Sequence, residues 1–187
     1  MKILVAYASR HGATQGIAER IAQALERTGL EVELHQADEV GAIDGYDAVV
    51  IGSAAYMGRW LKPATEFVRR NGAPLSERPV WLFSSGPIGT ETVDTRGRNV
   101  LEASVPAEFA EFAQTVHPRG VRVFFGAYDP DAEPVGIAER LGAMLTRMPA
   151  VRQALPAGDF RDWPEIESWA AGIADDLRHA ARTPATV

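Results

Sequence analysis

The sequence predicts an α/β fold, an open and doubly wound sheet of five parallel strands in the order 2-1-3-4-5. Two observations carry this expectation. Short continuous apolar runs at 2–7, 47–52, 79–84 and 121–126 have the character of strands covered on both faces, as in a parallel sheet. Helical periodicities fill the stretches between them, and right-handed crossovers then leave few topologies.

The elements follow in order. Lys2-Ile3-Leu4-Val5-Ala6-Tyr7 is the first strand. It leads into a helix whose Ile17, Ile21 and Leu25 share one face and which Gly29 is placed to terminate. Residues 31–35 alternate apolar and polar, as an edge strand does. After the third strand, Leu61, Thr65 and Val68 mark a helix that stops at Asn71-Gly72. Trp81 lies inside the fourth strand and reads as core. Phe109, Phe112, Ala113 and Val116 form one stripe, and Ile137, Leu141, Leu145 and Met148 another. Asp162-Trp163-Pro164-Glu165 is a capping-box-like start for the last helix, which buries Ile166, Trp169, Ala170, Ile173 and Leu177. There is no repeat and no low-complexity linker, so a single domain is expected over 1–182, with a frayed tail at 183–187.

Composition narrows the chemistry. Nineteen basic and 25 acidic residues in 187 give a net charge of −6, which argues against a nucleic-acid surface. With no cysteine, disulfides, thiolate nucleophiles and thiolate metal sites are excluded. His11, His35, His117 and His179 are isolated in sequence, so no metal site is expected. No segment suits a membrane span, and the first apolar run is too short for a signal peptide, so a cytoplasmic location is expected.

In this strand order the switch point lies between strands 1 and 3, and ligands bind beyond the carboxyl ends of the strands. The loops there are 8–14, 53–60, 85–99 and 127–134. In the first, Ser9-Arg10-His11-Gly12-Ala13-Thr14 joins an apolar strand directly to a helix, which aims backbone N–H groups and the positive end of a helix dipole at one spot. Ser9 and Thr14 add hydroxyls. The loop is neither G-x-x-x-x-G-K-[ST] nor G-x-G-x-x-G, which leaves a monophosphate site or an ordinary βα turn capped by Ser and Thr. In the second and third loops, Ser53, Ala54, Ala55 and Gly58, then Ser85, Gly86, Pro87, Ile88 and Gly89, let backbone approach a flat ligand. Tyr56, Met57 and Trp60 offer apolar cover, which suggests a planar ring joined to a phosphate. Each aromatic also has a structural reading: Trp60 as a staple for the helix that follows, Tyr56 as surface packing.

These residues resemble a known family. Ser9-Arg10-His11-Gly12-Ala13-Thr14 is similar to the phosphate loop of flavodoxin-like FMN-binding proteins. Val49-Val50-Ile51-Gly52-Ser53, Tyr56-Met57-Gly58, Glu66-Phe67-Val68 and Asp162-Trp163 resemble the branch that includes menaquinone-dependent protoporphyrinogen oxidase. The resemblance implies non-covalent FMN, its phosphate held by Ser9, Arg10, His11, Gly12, Ala13 and Thr14. Its ring would be bordered by Ser53, Ala54, Ala55, Tyr56, Met57 and Gly58 and by Ser85, Gly86, Pro87, Ile88 and Gly89. It further implies electron transfer with a redox partner protein or a small-molecule donor or acceptor, and no side chain acting as general acid or base. The alternative is a quinone-dependent flavin oxidoreductase. Against that branch, this chain has Ala55 and Tyr56 where the oxidase has an arginine. Its stretch after the fifth strand carries Asp129, Asp131 and Glu133, where the oxidase is basic and apolar. A receiver domain would need an Asp where Gly52-Ser53 stand, and no G-x-S-x-G marks a hydrolase.

Overall fold

The computed structural model describes residues 1–129 and 157–182. In chain order its elements begin with β1 (Lys2–Ala8), α1 (Ala13–Glu26), β2 (Glu31–Gln36), β3 (Ala48–Tyr56), β4 (Arg59–Trp60), α2 (Lys62–Arg70) and α3 (Gly72–Ser76). They continue with β5 (Val80–Ser85), α4 (Val100–Ala103), α5 (Glu108–Thr115), β6 (Gly120–Phe124), β7 (Ala127–Tyr128), β8 (Gly158–Asp159) and α6 (Trp163–Arg182). The main sheet runs β2-β1-β3-β5-β6, every neighbouring pair parallel. This is the expected order, with the short β4 added antiparallel to the end of β3.

Both faces of the sheet are covered, which is why its strands read as unbroken apolar runs. Ile3, Val5, Val50, Trp81, Phe83 and Phe124 point to one side and pack with Ile17, Ile21 and Leu25 of α1 and Ile166, Ile173 and Leu177 of α6. Leu4, Ala6, Val49, Ile51 and Leu82 point to the other and pack with Phe67 of α2, Leu75 of α3 and Phe112 of α5. β2 lies at one edge and is half-exposed along its length, as its alternation predicted.

Several details differ from the sequence reading. The stop at Asn71-Gly72 is followed at once by α3, because the Asn71 carbonyl accepts the Leu75 N–H and restarts helical pairing. Ala113 is exposed, so the buried stripe of that region is Phe109, Phe112 and Val116. Trp169 is half-buried, its ring edge-on to Phe83 and Phe124. The helix α4 was not expected; Asn99 caps it by accepting the N–H groups of Leu101 and Glu102. The stripe Ile137, Leu141, Leu145 and Met148, loop residues 130–134 and the tail 183–187 lie outside the described residues.

Gly52 has a packing role that its sequence context hid. It sits in the central strand β3 against the Phe83 ring, where a Cβ would collide with the Cζ end of that ring. Phe83 is fully buried among Phe124 and Trp169, so it has little room to yield. Gly52→Ala is therefore expected to lower unfolding free energy by about 1–3 kcal/mol, the usual cost of overpacking a core. Urea denaturation checks this, and an unchanged midpoint would show that the ring moves aside freely.

Candidate functional site

The parallel register brings the strand ends level. Ala8 pairs with Ser53, Ser53 with Ser84, and Ser85 with Phe124. Loop 9–12, the β3–β4 hairpin and the segment after β5 thus open on one edge of the sheet. That edge lies at the switch point between β1 and β3.

Within the first loop, Gly12 adopts φ 80° at the start of α1, a left-handed conformation that glycine enters without Cβ strain. Its N–H donates to Ser9 Oγ at 3.1 Å, and its carbonyl accepts the Gly16 N–H at 2.9 Å. Among the described residues no side chain caps α1. The N–H groups of Ala13, Thr14 and Gln15 accordingly have no acceptor within the helix and face the loop end. Arg10, His11 and Gly12 are exposed, and no acidic residue occurs in 9–14. The donor set suits a dianion.

Thr14 and Ser85 are placed differently from Arg10 and His11. Both are buried, and their hydroxyls share a 2.7 Å hydrogen bond that ties the first turn of α1 to the end of β5. Ser53 is buried too: its Oγ accepts the Leu61 N–H at 3.0 Å. These three hydroxyls brace the loops from beneath.

The expected loop 53–60 is largely a β-hairpin. β3 continues to Tyr56, turns at Met57 and Gly58, and returns as β4. Met57 at φ 52° and Gly58 at φ 72° are the paired positive φ values of a two-residue hairpin turn. Because only one of the two is glycine, the local turn signal is weak. The Gly58 carbonyl accepts the Ala107 N–H at 3.0 Å, and Glu108 accepts from the Trp60 N–H and Arg59, so the hairpin is held against the start of α5.

The aromatics divide between surface and core. Trp60 is buried, its ring centroid 5.1 Å from Phe109 and 5.6 Å from Phe112. It serves neither as ring cover nor as a staple confined to α2; it locks the hairpin to α5. Tyr56 is exposed at the edge, with the Arg10 guanidinium 4.7 Å from its ring centroid, linking the first loop to the hairpin. Met57 is fully exposed at the turn. In the third loop Gly86 lies over Ala55, where a Cβ would sit 3.4 Å from the Ala55 Cβ. Pro87, Ile88 and Gly89 are half-buried beside it.

The sequence reading missed Arg161. Its Nη1 donates to the Ala13 carbonyl at 3.1 Å across 148 residues of chain, and its Nε donates to Asp159 at 2.7 Å. That guanidinium holds the Asp159 carboxyl below the usual carboxylate range. Its one local signal is the adjacent Asp162-Trp163 helix start. Among the described residues there is no cluster of metal-ligating side chains, and no helix is long and apolar enough to cross a membrane.

A family model described as a flavodoxin domain matches residues 4–132. The chain belongs to the flavodoxin domain family. A flavodoxin from Maridesulfovibrio salexigens is 25% identical over 180 residues, covering 94% of this chain and 99% of that protein. Protoporphyrinogen IX dehydrogenase (quinone) of Escherichia coli K12 is 30% identical over 87 residues, 45% of this chain and 48% of that protein. The chain thus matches about half the length of that curated relative. Among solved structures, an archaeal flavodoxin has a TM-score of 0.56 at 16% identity, covering 96% of this chain and all of that one. Flavodoxin 2 from Bacillus cereus gives 0.56 at 22% identity over 94% and 99%.

The Thr14–Ser85 bond should be visible in the stability of this flavodoxin-domain chain. Thr14→Ala strands the Ser85 hydroxyl in the interior, at a cost of about 1–3 kcal/mol, whereas Thr14→Ser keeps the bond. Urea unfolding of the two variants is the measurement; equal stability of Thr14→Ala and the parent would show that the bond contributes nothing to folding.

Proposed function

We propose that this chain binds one FMN non-covalently at the carboxyl edge of its sheet and carries electrons through it. The observation that carries the reading is the uncapped start of α1, open at Gly12, free of acidic residues and close to the exposed Tyr56. Family membership supports it.

In this reading the phosphate meets the backbone N–H groups of Ala13, Thr14 and Gln15, with Ser9, Arg10, His11 and Gly12 around it. Thr14 contributes its N–H; its hydroxyl stays with Ser85. Tyr56, Met57 and Gly58 border the ring on the hairpin, and Gly86, Pro87, Ile88 and Gly89 border it on the loop after β5. Ser53, Ala54, Ala55 and Ser85 form the floor. FMN supplies the redox chemistry when bound. The protein's residues bind, orient and shield, and none need move a proton. The partner is a redox protein or a small-molecule donor or acceptor.

Calorimetric titration with FMN and with riboflavin tests the assignment. Each charge-assisted bond to the phosphate is worth about 1.5–3 kcal/mol, so FMN should bind at least about tenfold more tightly than riboflavin. Equal affinities would overturn the phosphate site.

A second reading, quinone-linked oxidation of protoporphyrinogen, is favoured by the 30% identity with the Escherichia coli dehydrogenase. Against it stands the run Asp129, Asp131 and Glu133, which an anionic leaflet would repel. The FMN-loaded protein is expected to show neither sedimentation with anionic liposomes nor menaquinone-dependent loss of protoporphyrinogen. Turnover together with salt-sensitive lipid binding would establish the second reading instead.

A further inference from the structure

We infer that Arg161 is a positioning residue for the phosphate end of the site, fixing and polarising the first turn of α1 so that it favours a phosphate monoester over the same ligand without phosphate. The inference rests on the FMN reading above and adds a residue that no loop motif contains.

Four observations converge on it. First, Arg161 Nη1 donates to the Ala13 carbonyl at 3.1 Å. That carbonyl belongs to the same peptide unit as the Thr14 N–H, one of the donors at the open start of α1. A cation on the oxygen of a peptide draws charge from its nitrogen, so the N–H at the other end becomes a stronger donor. Second, Gly16 leaves the space: a Cβ there would lie 2.5 Å from Arg161 Nη1. The guanidinium therefore rests directly on the helix backbone, one turn above Gly12.

Third, the guanidinium is held on its other sides. Its Nε donates to Asp159 Oδ1 at 2.7 Å and its Nη2 to Oδ2 at 2.6 Å, a two-pronged pair in a side chain only 16% exposed. Its Cζ lies 4.4 Å from the Trp163 ring centroid. Asp159 keeps the guanidinium oriented toward Ala13, and the tryptophan fixes its plane. Fourth, this anchor is itself tied to the third loop of the site. Phe160 N–H donates to the Gly126 carbonyl at 3.1 Å, and Gly126 N–H donates to the Pro87 carbonyl at 2.8 Å. β7 and β8 pair alongside, Ala127 with Asp159 and Tyr128 with Gly158. Arg161 thus joins the loop after β5 to the first turn of α1 through backbone bonds, in parallel with the buried Thr14–Ser85 contact.

Arg20 provides an internal control. Its guanidinium also lies over Trp163, 4.9 Å from the ring centroid, but it pairs with Glu167 rather than with the α1 backbone. Removing it takes one positive charge from the same tryptophan and leaves the Ala13 carbonyl as it was.

The experiment titrates FMN and riboflavin into the parent, Arg161→Ala, Arg161→Lys and Arg20→Ala, with urea unfolding of each apoprotein alongside. Arg161→Ala is expected to weaken FMN by about tenfold, the size of one charge-assisted contact, and riboflavin by less than about twofold. Arg161→Lys keeps the charge and a single donor, and should recover part of the FMN affinity. Arg20→Ala should leave both affinities within about twofold of the parent, as a screened surface charge does. If Arg161→Ala does not fold, the same FMN-against-riboflavin split is read on Arg161→Lys. Equal losses for FMN and riboflavin would make Arg161 a purely structural support and overturn the inference. So would unchanged FMN binding, or an equal FMN loss in Arg20→Ala. Failure of the cofactor reading is separately visible, because the parent would then bind FMN no better than riboflavin.

Discussion

The hydrogen bond between the Thr14 and Ser85 hydroxyls joins the first turn of α1 to the end of β5, across the strand that separates β1 from β5. Both groups are buried, so in that low-dielectric setting the bond is strong and its loss leaves a stranded polar group. It fixes how far apart two of the three site loops stand. Ser53 and Ser84 extend the same layer: Ser53 Oγ accepts the Leu61 N–H, and Ser84 Oγ donates to the Ser53 carbonyl. The hydroxyls beneath the candidate site thus satisfy the protein's own interior, and what loop 9–12 turns toward solvent is the Arg10 and His11 side chains and the backbone at Gly12.

That division explains the electrostatics. The chain carries a net charge of −6, yet 9–14 and 53–59 contain no acidic residue and contribute Arg10 and Arg59. An anion at the start of α1 therefore meets unpaired N–H groups and a helix dipole without local repulsion. Arg59 is partly neutralised by Glu108, which also accepts the Trp60 N–H and so ties the hairpin to α5. Arg10 lies over Tyr56 and closes the gap between the first loop and the hairpin.

The far end of the chain packs against the start of α1. After β6, the pairing of β7 with β8 returns the chain to the place it left, and residues 159–161 reach the start of α1. The last helix then covers the face of the sheet on which α1 lies. Packing and loop geometry are linked here: the ring of Trp163, at the start of α6, has the guanidinium groups of Arg20 and Arg161 at 4.9 and 4.4 Å from its centroid and lies close to Gly16.

The sequence by itself determined the alternation of buried strands with helices and the position of the first loop, because a strand buried on both faces must be apolar at every position and a helix repeats at its own period. It also marked Trp81 as core for the same reason. Right-handed crossovers left few topologies, and the tertiary pairing selected the order β2-β1-β3-β5-β6. Side-chain direction was not legible. Thr14 read as a hydroxyl donor and Ser53 and Ser85 as small residues beside a flat ligand; that the Thr14 and Ser85 hydroxyls pair with each other in the interior, and Ser53 Oγ with the Leu61 N–H, depended on how α1, β3 and β5 pack. Trp60 and Tyr56 are four residues apart in one expected loop; the hairpin turn at Met57-Gly58 sent the first toward α5 and left the second at the edge. Arg161 depended on tertiary structure entirely, since no local pattern tells a residue that its partner is a carbonyl 148 positions away. Periodicity records what an element must bury, whereas which polar group meets which is settled only when separate elements are brought together.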